Sequence, residues 1–165
     1  MTRSEWMTAV GAAAMCLLMA AGCSQTVDLN QVSPPAANAL KTAFPDASVG
    51  EATLESGGEL KLYEVKLTRG QQAMEATVSA DGQIVEVESE VALSDVPDPV
   101  EDAVTKAVGD GKLFKLEKVE HRGKVQGGKV TMLDQPEVFY EAKYMRWLIM
   151  HETEWAPDGT ARGGS

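Results

Sequence analysis

Residues able to do chemistry are few in this chain, and they are not grouped as catalysis requires. His151-Glu152 begins like a zinc-protease helix, in which histidines four residues apart grip the metal and the glutamate serves as base, but the fourth residue on is Trp155. The alternating neighbours of the pair read as a strand, and His121 and His151 are the only histidines, so no metal site is expected. Gly123-Lys124-Val125-Gln126-Gly127-Gly128-Lys129 has the spacing of a phosphate loop, yet Val130 stands where Ser or Thr would bind magnesium. It reads as a flexible loop. The nucleophile motifs Gly-x-Ser-x-Gly and Ser-x-x-Lys do not occur. Glu86, Glu88 and Glu90 could gather cations on one strand face, or form a solvated face that keeps an edge from aggregating. No catalytic residue and no cofactor is expected, and the chain is expected not to be an enzyme.

One cysteine does carry chemistry. Arg3 precedes an uncharged run from Ala9 to Ala21, too short to span a bilayer stably and followed by small residues, as in a signal peptide. It ends in Leu18-Met19-Ala20-Ala21-Gly22-Cys23, which resembles a bacterial lipobox apart from Ala20, where Leu is usual. The resemblance implies cleavage after Gly22, acylation of Cys23 and, with Ser24 next, retention at the outer membrane, facing the periplasm. Two or more acyl chains exceed what reversible anchoring needs. Cys16 lies in the discarded segment, so the mature chain has no free thiol, and disulfides and thiol catalysis drop out. The net charge of −10 makes a poor nucleic-acid binder and a body that stands off from anionic lipid.

Those residues need elements to position them, and the elements come in duplicate. Ala36, Ala39, Leu40, Ala43 and Phe44 follow the i, i+3, i+4, i+7, i+8 stripe of a surface helix, and so do Val100, Ala103, Val104, Ala107 and Val108, 64 positions later. Ser33 and Pro34 open the first helix; Asp98 as N-cap, Pro99, Glu101 and the stop Gly109 frame the second. Alternating strand patterns follow each, with Tyr63-Glu64 and Tyr140-Glu141 offset by 77 and each followed 18 residues on by an Asp-Gly turn, Asp81-Gly82 and Asp158-Gly159. The difference places an insertion of 13 residues near 123–135. The expected layout is therefore a signal peptide over 1–22, a polar tether over 23–31, one unit over 32–91 and a second over 92–165 with a truncated last strand.

The run from Pro35 to Phe44-Pro45, then Tyr63-Glu64-Val65 and Asp81-Gly82-Gln83-Ile84, is similar to the PepSY-like units of bacterial envelope proteins. The resemblance covers residues 32–91 well and 94–160 loosely, where Tyr140-Glu141-Ala142 lacks the usual Val. It implies an α+β fold of two tandem helix-plus-antiparallel-sheet units, β-lactamase-inhibitor-like, with the helices packed on one sheet face. It also implies a non-enzymatic protein-binding or regulatory module, often proposed to inhibit envelope peptidases. The alternative is a structural scaffold subunit of an outer-membrane assembly complex.

Two features could meet a partner. Lys112, Lys115, Lys118, Arg122, Lys124 and Lys129 form a basic stretch that could touch anionic headgroups, or protect the edges of an exposed ribbon. Trp147, Leu148 and Ile149 lie where the first copy has the polar hairpin tip Thr68-Arg69-Gly70-Gln71, with Trp147 in the place of Gly70. An apolar tip would expose Trp147 as a recognition anchor. Longer strands would instead bury it against the neighbouring sheet.

Overall fold

The computed structural model describes residues 23–57 and 59–162, so the expected signal peptide 1–22 lies outside the described residues. Nine strands succeed one another: β1 (Cys23–Val27), β2 (Ser48–Gly57), β3 (Leu60–Arg69), β4 (Gln72–Ser79), β5 (Ile84–Glu90), β6 (Lys112–Gln126), β7 (Lys129–Arg146), β8 (Ile149–Trp155) and β9 (Ala161–Arg162). Each pairs antiparallel with its neighbour in sequence, making one sheet in chain order. Helix α1 (Pro34–Ala43) links β1 to β2, and α2 (Asp98–Val108) links β5 to β6. Neither helix is long and apolar enough to cross a membrane.

This corrects the expected fold class. The molecule is dominated by a single nine-stranded sheet and is not two tandem helix-plus-sheet units. The stitch is the β5–β6 ladder, from Glu86 opposite His121 to Glu90 opposite Glu117, which satisfies backbone groups that two separate sheets would leave on open edges. The segment expected as a tether is instead an edge strand, with Cys23 opposite Ser56 and Val27 opposite Ala52, followed by a short 3-10 turn.

Alternation along the strands sends one face to the helices. Ala36 and Leu40 of α1 and the C-cap residue Phe44 pack on Tyr63, Val65 and Val87, and Val100 and Val104 of α2 pack on Leu116, Tyr140 and Trp155. Val87 lies opposite Glu120, which shares the face of Leu116, so both helices cover the same side. Ser33 caps α1 by accepting the Ala36 N–H at 3.4 Å while donating to the Ala80 carbonyl at 2.6 Å. At α2 the cap falls on Pro97 and not on Asp98, which is the first helical residue; the acids Asp98 and Glu101 favour that helix end through the dipole.

The Asp-Gly turns are three-residue loops rather than two-residue ones. Gly82 has φ 92° and donates to the Ser79 carbonyl, while the Ser79 N–H bonds the Gln83 carbonyl. Gly159 (φ 79°) repeats the pattern with the Ala156 carbonyl. Each turn seats on a helix start: a Cβ on Gly82 would lie 2.9 Å from the Pro35 carbonyl oxygen, and one on Gly159 would overlap the Pro99 carbonyl. The insertion near 123–135 is strand, not flexible loop, forming the outer part of the β6–β7 hairpin around Gly127-Gly128.

Candidate functional site

The β7–β8 hairpin has an unusual tip. Met145 pairs with Met150 and Arg146 with Ile149, which leaves only Trp147 and Leu148 to reverse the chain. Both take left-handed backbone angles, φ 52° and 62°, the pair of positive values that a two-residue type I′ turn requires. At the β6–β7 turn the same need is met by Gly127 and Gly128, while the β3–β4 turn needs only one positive value, at Gly70. A side-chain-bearing residue in that region costs roughly 1–2 kcal/mol. Trp147 and Leu148 are the two non-glycine residues with positive φ among those described.

The tip is also exposed. Trp147 is 71% accessible and Leu148 91%, while Ile149 and Met150 are 58% each. Phe114, at a β-bulge between Leu113 and Lys115 beside β7, adds a further exposed ring. Five of the eight exposed large apolar residues among those described thus gather around one hairpin end. Such concentration marks interaction surfaces, since singly scattered apolar residues are the norm.

Arg146 mounts the tip on the body. Its guanidinium lies 4.3 Å from the Trp147 ring centroid and donates to the Ala107 carbonyl at 3.3 Å, within the unpaired carbonyls that end α2. Next to it Gly111 passes so close to the Met145 carbonyl that no Cβ fits. The turn that displays Trp147 is therefore fastened to a helix end through the residue before it.

The sheet face away from the helices is crowded with carboxylates. Glu75 stands opposite Glu88, and Glu90, Glu117, Glu141 and Glu154 form one cross-strand row over β5 to β8. Burial first, then Glu117 and Glu86, pushes the Glu88 carboxyl up to about 8. Burial with Glu64 lifts Glu75 to about 7, and burial with Glu152 lifts Glu141 to about 7. Lys115 bonds Glu117 at 2.7 Å, and Lys143 sits 3.5 Å from Glu141. His121 meets Glu86 at 2.5 Å and packs edge-on against Phe139. Among the described residues no His, Cys, Asp and Glu are grouped so as to hold a metal.

The basic stretch divides between surroundings. Lys118 and Arg122 pair with Glu120, Lys124 with Glu137 and Lys115 with Glu117, whereas Lys112 lies 4.8 Å over the Phe114 ring. Trp147, Leu148 and Ile149 come together; Cys23 begins the opposite edge of the sheet. Sequence reasoning missed Phe114 and assigned no role to Arg146 or Met150, although both flank the tip in the run Met145–Met150.

No family model and no curated protein matches this chain. Solved structures do. A periplasmic protein of Bacteroides eggerthii superposes with TM-score 0.61 at 13% identity, covering 79% of this chain and 85% of that one. A BLIP-like protein of Bacteroides fragilis gives 0.57 at 14%, covering 79% and 82%. The chain has a BLIP-like fold. A DUF2874 family protein of Bacteroides uniformis shares it, with TM-score 0.58 at 13% identity over 78% of this chain and 84% of that one. At these identities the BLIP-like comparison speaks for architecture and not for activity.

Proposed function

We propose that this BLIP-like chain is a non-enzymatic protein-binding module of the cell envelope, tethered through acylated Cys23 at the outer membrane and presenting the Trp147-Leu148 tip to a protein partner in the periplasm. The observation that carries the reading is the double cost at the tip: two left-handed non-glycine residues that are also the most exposed large apolar side chains described. Glycine would relieve the strain, and polar side chains would relieve the exposure. Retention of both costs at one turn is what a recognition element requires and what folding alone does not. The description of the similar Bacteroides eggerthii protein as periplasmic and the lipobox-like Leu18–Cys23 support the location. A regulatory or inhibitory action on an envelope peptidase fits such a module.

The test replaces the tip by the turn sequence that suits its backbone, Trp147→Asn with Leu148→Gly. This variant should be more stable by about 1–2 kcal/mol. Chemical cross-linking of intact cells should show a discrete protein adduct in the membrane fraction for the native chain and lose it for the variant, and Cys23→Ala should remove the chain from that fraction. An adduct formed equally well by the Asn-Gly tip would sink the binding role.

A further inference from the structure

The charges that border the tip differ from those of the molecule around it. On a chain of net charge −10, the exposed apolar side chains are ringed by Lys106 in the last turn of α2, Lys112 opposite Met145, Lys115 and Lys143 in the next row, and Arg146 beneath Trp147. The anions at the same border are Asp110, 3.9 Å from Arg146, and Glu152, 3.9 Å from Lys143, with Glu117 and Glu141 one row further on holding Lys115 at 2.7 Å and Lys143 at 3.5 Å. Lys112 and Lys106 are exposed and make no ion pair among the described residues, and the Lys112 ammonium lies over the Phe114 ring, within the apolar patch itself.

Accepting the tip as the recognition element, we infer that its partner is a protein with an apolar socket rimmed by carboxylates, into which Trp147 and Leu148 insert while Lys112 and Lys106 meet the acidic rim. Charge complementarity of this kind sets orientation and rejects wrong partners. An anionic lipid surface would also attract lysines beside a tryptophan, but two observations favour a shaped protein. A fluid bilayer imposes no fixed geometry, so the left-handed backbone at Trp147 and Leu148 would bring nothing there, whereas a socket requires side chains held in one direction. The carboxylate row Glu117, Glu141 and Glu154 lies on the same sheet face two rows from Met145 and Met150, and would be repelled by anionic headgroups.

A photo-crosslinking benzophenone amino acid at Ile149, an exposed strand residue adjoining the turn, tests this in the full chain within cells. The expected result is one protein adduct whose captured peptide contains Asp or Glu, formed at least about tenfold less by Lys106→Glu with Lys112→Glu. The same charge change placed elsewhere, Lys41→Glu with Lys61→Glu, should leave the yield unchanged. An adduct lost with Trp147→Ala but indifferent to the reversal at Lys106 and Lys112 overturns the acidic rim while leaving protein binding standing. An equal loss in the control pair reduces the effect to net charge and overturns it too. Purified chain mixed with phosphatidylglycerol vesicles should give no phospholipid adduct; if it does, the occupant is lipid. The absence of any adduct, with an unchanged thermal melt for the labelled chain, overturns both the rim and the recognition role.

Discussion

At the scale of single residues, two tryptophans share one hairpin and behave as opposites. Trp147 is exposed at the turn with its ring on Arg146, whereas Trp155 is 4% accessible and packs with Val100, Val104 and Tyr140 under α2. Removing a large ring from such a core costs about 3–5 kcal/mol. Trp155→Ala should therefore lower the denaturation midpoint strongly, while Trp147→Ala changes stability by under about 0.5 kcal/mol and loses affinity on the order of thirtyfold. Equilibrium denaturation of both variants checks the first pair of outcomes before any partner is isolated; comparable losses would mean that Trp147 is structural. The exposure of Trp147 was the open question in the sequence, because an apolar run such as Trp147–Ile149 suits both an anchor at a hairpin tip and a buried strand. Register decides it: Arg146 opposite Ile149 leaves two residues for the turn.

At the scale of elements, the Asp-Gly turns do more than reverse the chain. Gly82 closes its loop against Pro35 at the start of α1, and Ser33 of that helix reaches back to the Ala80 carbonyl. Gly82→Val thus combines a strained left-handed backbone with a contact the turn cannot relax, and should destabilise by roughly 2–3 kcal/mol. Urea unfolding measures it, and an unshifted midpoint would mean that the turn and helix are not coupled. Helix stripes and Asp-Gly turns were readable because period and positive φ leave local marks in sequence. The short link between the copies admits contiguous or stacked sheets, and the strands do not choose between them, since Ile84–Glu90 and Lys112–Gln126 alternate in the same way whether paired or at free edges. Nor was β1 readable, because Cys23–Val27 is short and mostly polar, as an edge strand can be. The Arg146 mount depends on where α2 ends in space, which no spacing along the chain records.

At the scale of the whole molecule, the carboxylate face makes stability depend on pH. Glu75, Glu88 and Glu141 titrate near 7 to 8 in the fold, above the ordinary 4.5, so the folded chain holds more protons than the unfolded one between those limits. Their contribution is complete below about 4.5 and is lost as pH rises through 7 to 8. Glu120 and Glu137, held low by lysine and arginine partners, act in the opposite sense at the acid end. The melting temperature should consequently be higher at pH 5.5 than at pH 8.5, and Glu88→Gln should raise it at pH 8.5 with little change at pH 5.5. The groups share one face and titrate as a set. A melting temperature that climbs from pH 5.5 to 8.5 would show that the face is ionised throughout.

The strictly sequential strand order bears on how the chain reaches its fold. Every strand finds its partner in the next strand along, and only α1 and α2 lengthen two of the connections. Loop closure is then inexpensive at each step, because every ladder joins strands that are consecutive in the chain. The ladder can grow outward from any hairpin already formed, without waiting for the two chain ends to meet. A chain folding in this order therefore spends little time with bare strand edges, the state in which β proteins most readily aggregate.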